Sequence, residues 1–335
     1  MSQAPPPDAM ALSGTLLGGK YRLQQLLGAG GMGAVYVAEN TSLRAPVAIK
    51  VLHAAVLQRP ELRDRFAQEA QAAAQVRHVN IVSVLDFGYD DEAELFYIVQ
   101  ELLTGADLKR RVREHGPMTP RDAVALLLPV MRALSYAHAK GVVHRDLKPD
   151  NIFLCETPDG VVPKLIDFGI AKVIDDQGQS IQNTSTHMAL GTPHYMSPEQ
   201  ARGDRALDHR TDIWSLGVVL YFTLTGQLPY GGATANIVLA SIITRPPTRI
   251  EEHLPGLAPD VAALVHKALA YEVEQRFPTM EAFWQAARAC SVVQNLPASN
   301  IVSTESIAPV VTATAPMASP LAPRAVAGVV PPSGP

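Results

Sequence analysis

The sequence predicts an α+β protein of two lobes, a small strand-rich half followed by a larger helical half, with a ligand cleft between them. Three observations point that way. Short β-rich runs broken by turn residues fill the first part of the folded stretch, longer helical periods bounded by Pro, Gly or Asp fill the second, and the two chain ends carry neither pattern. A cleft between two unlike lobes is a natural ligand site.

Taken in order, residues 1–15 include Pro5, Pro6 and Pro7 without any periodic pattern and read as a disordered segment. Residues 16–290 form the folded unit, with the small lobe over about 16–103 and the large lobe over about 104–290. Strands are expected at 21–27, 34–39, 47–52, 81–87 and 96–101, with one helix at 61–76. Helices are expected at 122–139, 212–224, 260–269 and 280–289, with short strands at 152–154 and 164–166. Residues 291–335 read as a Pro/Ala-rich disordered tail. Between 296 and 335 lie eight prolines, eight alanines and two charged side chains, Glu305 and Arg324, and proline at that density interrupts helices and strand ladders.

Composition excludes several classes. Apolar residues make up 47% of the 335, enough for a sizeable core. The net charge of −4 argues against nucleic acid as a partner. Cys155 and Cys290 are the two cysteines, too few for a disulfide framework or a Cys-based zinc site, and they suit a reducing compartment. The longest apolar run, 216–224, is far shorter than the ~20 residues of a membrane helix. The N-terminus lacks the basic-then-apolar pattern of a secretory signal. These features imply a cytoplasmic chain with no membrane segment.

The chemistry concentrates in four strings. Gly28, Gly30 and Gly33 have G-x-G-x-x-G spacing, which lets backbone amides approach a phosphate. A Rossmann turn would continue into a helix; here the strand-like AVYVAE follows, so the glycines close a β-hairpin, and Val35 falls where it could cap a flat base. In Val47-Ala48-Ile49-Lys50, period two puts Ala48 and Lys50 on one face, a small residue beside a cation. Glu69 lies within the apolar stripe Leu62, Phe66, Ala73 and Val76, where a carboxylate needs a partner; Lys50 can be that partner. His144-Arg-Asp-Leu-Lys-Pro-Asp-Asn151 gathers an aspartate, a lysine and an amide in one loop, suited to accepting a hydroxyl proton and contacting a phosphoryl oxygen. Asp167-Phe168-Gly169 places a carboxylate at a strand end, fit for a hard metal ion.

In these strings, in this order, the chain resembles a Ser/Thr protein kinase of the bacterial, eukaryotic-like type, over about residues 20–290. Gly191-Thr192-Pro193, Ser197-Pro198-Glu199, Asp212 to Gly217 and Arg276 extend the match. The resemblance implies the bilobal protein kinase fold with ATP in the cleft. The glycine loop (Leu27, Gly28, Ala29, Gly30, Gly31, Met32, Gly33, Ala34, Val35) would cover the ATP phosphates, and Lys50 would contact them while pairing with Glu69. Asn151 and Asp167 would hold Mg2+, with Mn2+ as an alternative; Asp146 would accept the substrate proton and Lys148 touch the γ-phosphate, supported by Thr192. Glu101 and Leu103 would form the hinge beside the adenine, Asp107 would meet the ribose, and Phe153 would floor the base opposite Val35 and Ala48. Glu199 and Arg276 resemble a structural ion pair, and Asp212 a support for the catalytic loop.

The resemblance also implies regulation. Thr184 and Thr186 match activating phosphosites, with Ser180 and Ser185 as alternatives, and Arg65, Arg145 and Lys172 match the basic pocket that receives the phosphate. Autophosphorylation in trans, through a transient homodimer, would order the loop. Two departures stand out: Ser197 where alanine is usual, and Gln100 behind the adenine pocket. A pseudokinase would lack one of the positions filled here, and a small-molecule kinase would lack the region from Gly191 to Glu199 that serves as a peptide platform. The substrates are therefore expected to be protein serines and threonines. Cys155 reads as a core or surface thiol, and 109–113 as a solvated helix face.

Overall fold

The structure, a computed structural model, describes residues 12–30, 33–52, 74–167, 193–204 and 207–294. β1 (Leu16–Leu17), β2 (Tyr21–Gly30), β3 (Gly33–Asn40), β4 (Ala45–Leu52), β5 (Val84–Asp90) and β6 (Leu95–Glu101) form an antiparallel sheet in the order β1-β2-β3-β4-β6-β5. β3 shows why: Ala34, Tyr36, Ala38 and Asn40 are buried and alternate with partly exposed residues, the period of a half-buried strand. Tyr36, Ile49, Val99 and Leu23 build the core on one face. On the other, Leu52 and Ile98 pack with Val84, Phe87 and Phe96.

A second, larger core lies in the helical half. It is built by α1 (Leu108–His115), α2 (Pro120–Ala139), α3 (Pro198–Arg202), α4 (Arg210–Thr225), α5 (Ala235–Thr244), α6 (Pro259–Ala268) and α7 (Met280–Ala289). Thr119 caps α2 by accepting from the Asp122 N–H, and Pro120 fills its first turn. Every residue of α4 from Thr211 to Leu224 is buried. A helix buried on all sides belongs in the middle of a core, and α2, α6 and α7 pack against it. Gly217 is needed there, because a Cβ would lie 2.8 Å from the Ala268 Cβ of α6.

A small sheet of β7 (Gly105–Asp107), β8 (Ile152–Thr157) and β9 (Gly160–Leu165), in that order, joins the helical core through Ile152, Leu154 and Leu165. Residues 80–82 are stitched to it. Asn80 O accepts from Leu165 N, Leu165 O accepts from Val82 N, and the Asn80 amide donates to Pro163 O at 2.7 Å. Ile81 thus forms a bridge to Leu165 instead of opening β5, which begins at Val84.

The expected boundaries move outward at both ends. Residues 12–15 fall in the segment expected to be disordered, yet Leu12–Gly14 is a turn, Gly14 N–H donates to Leu23 O, and Leu12 packs on the sheet core. At the other end, Ser291–Val293 forms a 3-10 turn, with Ser291 N–H on Asp260 at 2.6 Å and Val293 only 1% exposed. Apolar contact at Leu12 and Val293 is what extends the core. Of the expected helix at 61–76, residues 74–76 are described; Ala74 and Gln75 are helical and Val76 is not, so the helix ends one residue earlier than expected. Residues 1–11 and 295–335 lie outside the described residues.

The Glu199–Arg276 pair closes the helical half. Two hydrogen bonds of 2.7 and 2.8 Å join the carboxylate to the guanidinium, which also donates to the carbonyls of Ala270, Tyr271 and Arg210. Burial works to raise the Glu199 carboxyl, but the bonds and charge of Arg276 outweigh it and hold it below the ordinary value.

Two expectations follow. Val293→Ala removes two buried methyls, costing about 1.5 kcal/mol and lowering Tm by roughly 3–6 °C; calorimetry should find Val161→Ala, at an exposed position, without effect. Arg276→Met leaves a buried carboxylate unpaired and should cost about 3–5 kcal/mol at neutral pH. The wild-type Glu199 carboxyl is depressed, so its contribution is present above the unfolded value of ~4.3 and lost on acidification. In the variant the unpaired carboxyl is raised, and stability falls as pH rises. Urea unfolding at pH 4 and pH 7 should therefore show a wider gap between the two proteins at pH 7; an equal gap contradicts the assignment.

Candidate active site

The site is built on Asp212, in the first turn of α4 and 0% exposed. Its carboxylate accepts from His144 N, Arg145 N and His138 Nε2, each at 2.8 Å. Burial pushes its carboxyl up, but the hydrogen bond and charge of His138, with His144, more than reverse this and keep it ionised. The loop from His144 is thereby fixed to the buried helix.

Arg145 has φ +61°, a left-handed conformation rare for a residue with a side chain. Its carbonyl accepts from Gln200 Nε2 at 2.9 Å, and Asp146 N–H donates to His144 O at 2.8 Å. His144 is buried, and desolvation lowers its imidazole against the pull of Asp212 and Asp146. The neutral ring fits its contacts. Nε2–H reaches Ile166 O at 3.1 Å, and Nδ1 accepts from Asp146 N at 3.3 Å.

The charged groups then converge. Lys148 Nζ lies 2.7 Å from Asp146 Oδ2, and Asn151 Nδ2 donates to Asp146 O at 2.8 Å and Oδ2 at 3.3 Å. Asn151 ends the 3-10 turn Pro149–Asn151 and leads into β8. Ile152 pairs with Leu165, and Ile166 N–H donates to Asn151 O at 3.0 Å, so this register sets Asn151 beside the chain leading to Asp167. Asp167 also has positive φ, +54°, and its Oδ1 meets Lys50 Nζ at 2.7 Å. Burial acts to raise the Asp167 carboxyl; the charge and hydrogen bond of Lys50 prevail and hold it low. Lys50 is 17% exposed and Asp167 35%, so the pair faces an opening.

The sheet supplies the roof. Gly28 pairs with Val35, Ala29 with Ala34 and Gly30 with Gly33, while Val35 pairs with Lys50 across β4. Gly33 admits no side chain, since a Cβ would meet Val51 O at 2.0 Å; at Gly28 nothing lies within 4 Å, leaving room for a ligand to approach the backbone. Leu27 is exposed and Ala48 lies between Val37 and Gln100, with Gln100 buried. Phe153 pairs with Asp107 in the small sheet. Asp107 Oδ1 accepts from Arg110 N at 2.8 Å, so the residue expected at the ribose also caps α1. Glu101 is engaged by Lys164 Nζ at 2.6 Å and by Ser83 N–H at 2.8 Å, and Leu103 is half-buried beside it.

The structure thus brings together Lys50, Asp146, Lys148, Asn151 and Asp167. Glu69, Arg65, Gly31, Met32, Lys172, Thr184, Thr186 and Thr192 lie outside the described residues. Sequence reasoning missed His138, Gln200 and Lys164. Each acts through a contact far along the chain, and no spacing signals it. It also read 109–113 as solvated, whereas Val112 is buried and Lys109 binds Asp150 of the loop at 2.6 Å. Cys155 is a buried thiol raised by desolvation, as a core cysteine should be. Among the described residues no helix is long and apolar enough to cross a membrane.

Residues 21–286 match the protein kinase domain family. The chain is 41% identical over 268 residues to serine/threonine-protein kinase PknB of Mycobacterium tuberculosis, covering 78% of this chain and 41% of that protein. It is 42% identical over 272 residues to serine/threonine-protein kinase Pkn1 of Myxococcus xanthus, covering 80% and 38%. The chain therefore spans about two fifths of the length of these curated relatives. Among solved structures, the PknI kinase domain of Mycobacterium tuberculosis aligns with a TM-score of 0.64 and 26% identity, over 82% of this chain and 98% of that one. The fold is that of the bilobal kinases. A match running from the start of β2 into α7 takes in nearly all of both cores, and the chain belongs to the protein kinase family.

Proposed function

We propose that the chain transfers the γ-phosphoryl group of ATP to serine and threonine hydroxyls of proteins. The observation that carries this reading is the convergence of two carboxylates, two lysines and an amide at one opening, three of the five on a loop fixed to the buried helix. Phosphoryl transfer needs positioning and charge neutralisation more than covalent help. That is what this cluster offers.

In this mechanism Asp146 orients the substrate hydroxyl and takes its proton as the oxygen bonds to the γ-phosphorus and the bond to the β-phosphate oxygen breaks, releasing ADP. Lys148, already on the Asp146 carboxylate, neutralises the transferring group. Lys50 holds the other phosphates, and the glycine hairpin, Ala48, Val35, Phe153, Glu101, Leu103 and Asp107 enclose the nucleotide. Asn151 and Asp167 suit Mg2+ or Mn2+: the carboxyl is held ionised, and the Asn151 amide donates its NH2 to Asp146 while its oxygen has no partner among the described residues. No cluster of three His, Cys, Asp or Glu is placed for a metal among the described residues. A divalent ion held by so few protein ligands draws the remainder from substrate phosphates and water, and when bound it neutralises phosphate charge.

The same reading places Thr184 and Thr186 as autophosphorylation sites, modified in trans within a transient homodimer, with Arg65, Arg145 and Lys172 receiving the phosphate. It takes protein substrates, not nucleic acid, and acts in the cytoplasm; two free buried cysteines accord with that compartment.

Asp146→Asn should retain nucleotide binding and lose phosphoryl transfer by about 10²-fold or more, read by ATP-dependent labelling of a generic protein substrate. Lys50→Met should lose activity as well. Near wild-type turnover in either variant refutes the assigned roles. Thr184→Ala combined with Thr186→Ala should remove most activity, and Asp146→Asn protein from a kinase-free host should carry no phosphate at either threonine by mass spectrometry.

A further inference from the structure

We propose that Gln200 is a positioning residue for the transfer reaction, fixing the aim of the Asp146 carboxylate by holding the carbonyl of Arg145. The inference rests on the role given to Asp146 above.

Arg145 occupies a left-handed conformation, φ +61°. A residue with a side chain persists there only where its surroundings over-determine it. Two side chains from different helices do so. Asp212 of α4 accepts the Arg145 N–H at 2.8 Å, and Gln200 of α3 donates to the Arg145 carbonyl at 2.9 Å. The peptide joining Arg145 to Asp146 is thereby held at both ends, by Gln200 at its C=O and by His144 O at its N–H. The His144 bond is local and turns with the loop. The Gln200 bond refers the peptide to another element, and the rotation of this peptide directs the bond from Cα to Cβ of Asp146.

Gln200 is itself held. It is the third residue of a capping box: its Oε1 accepts from Ser197 N at 3.1 Å and its N–H donates to Ser197 Oγ at 3.4 Å. That leaves the NH2 end of the amide for Arg145. Glu199, next to Gln200, is clamped by Arg276, which also donates to the carbonyl of Arg210 at the start of α4. The donor therefore stands on a short helix tied to the same core that carries Asp212. A carboxylate at position 200 could keep the capping box but would turn an oxygen toward the Arg145 carbonyl. Ser197→Ala does the converse, removing the hydroxyl half of the box and leaving the contact to Arg145.

The test compares the full chain with Gln200→Glu, Ser197→Ala and Asp146→Asn. It measures kcat and ATP KM on a protein substrate, nucleotide affinity by fluorescent ADP titration, thermal unfolding, and hydrogen exchange of the peptide spanning residues 144–148. Gln200→Glu should lower kcat by about 10- to 100-fold, as a misplaced catalytic group does, with ATP KM and ADP affinity nearly unchanged. Exchange protection of 144–148 should fall in Gln200→Glu and persist in Ser197→Ala, which loses melting temperature but keeps kcat. Should Gln200→Glu fail to fold, Gln200→Met, similar in length but unable to donate, takes its place.

Wild-type kcat in Gln200→Glu, unchanged protection of 144–148, or an equal kcat loss in Ser197→Ala overturns the proposal. A wild-type chain no more active than Asp146→Asn overturns the kinase reading instead, and the exchange measurement still decides whether Gln200 holds the loop.

Discussion

The carboxylate of Asp212 is the constraint on which the site depends. A buried charge is costly unless its lone pairs are filled, and here two consecutive backbone N–H groups and a histidine fill them. Because α4 is buried along nearly its whole length, those bonds reference the loop to the least deformable part of the molecule. The chain turns sharply at Arg145 as a result, and Asp146 emerges beside Lys148 and Asn151 rather than packing inward.

The second half of the site arrives through strand register. Antiparallel pairing of Ile152 with Leu165 fixes how far Asn151 stands from Asp167, and a slip of one residue would turn the side chains of the strand to the opposite face. The His144 ring joins the two routes, donating to Ile166 O while standing on the backbone amide of Asp146. Burial keeps that ring neutral, and only a neutral ring can serve as donor at one nitrogen and acceptor at the other.

Legibility in the sequence followed the kind of interaction. The strand at 34–39 and the helices at 122–139 and 280–289 were readable because a single buried face imposes a period, whereas the strand at 47–52, buried on both faces, was readable as a short β-branched apolar run. α5 was not, since ANIVLASIIT has apolar residues almost throughout and no polar stripe to count. β7, with three residues, is too short to show alternation. In the site, residues carried by short ordered strings, such as Asp146 and Asn151, were legible together with Asp212 and Arg276. His138, Gln200 and Lys164 were not, because a side chain that serves a distant backbone atom or carboxylate leaves no trace in local spacing. Asp107 shows a subtler limit: a position chosen for a ligand also caps a helix, and the sequence alone does not reveal that one oxygen is already committed.

Under the proposed function, the Lys50–Asp167 contact would set the terms on which nucleotide enters. Each charge is the other's counterion, and each is also wanted by an incoming group, a phosphate for the lysine and a metal for the aspartate. An anion arriving alone would strand the carboxylate; a cation arriving alone would strand the ammonium. Only when both arrive together does every charge leave with a partner, as in the exchange of ions between two salts. Affinity for nucleotide and affinity for metal would then be one coupled quantity, written into the sheet by a single lysine and into the loop by a single aspartate.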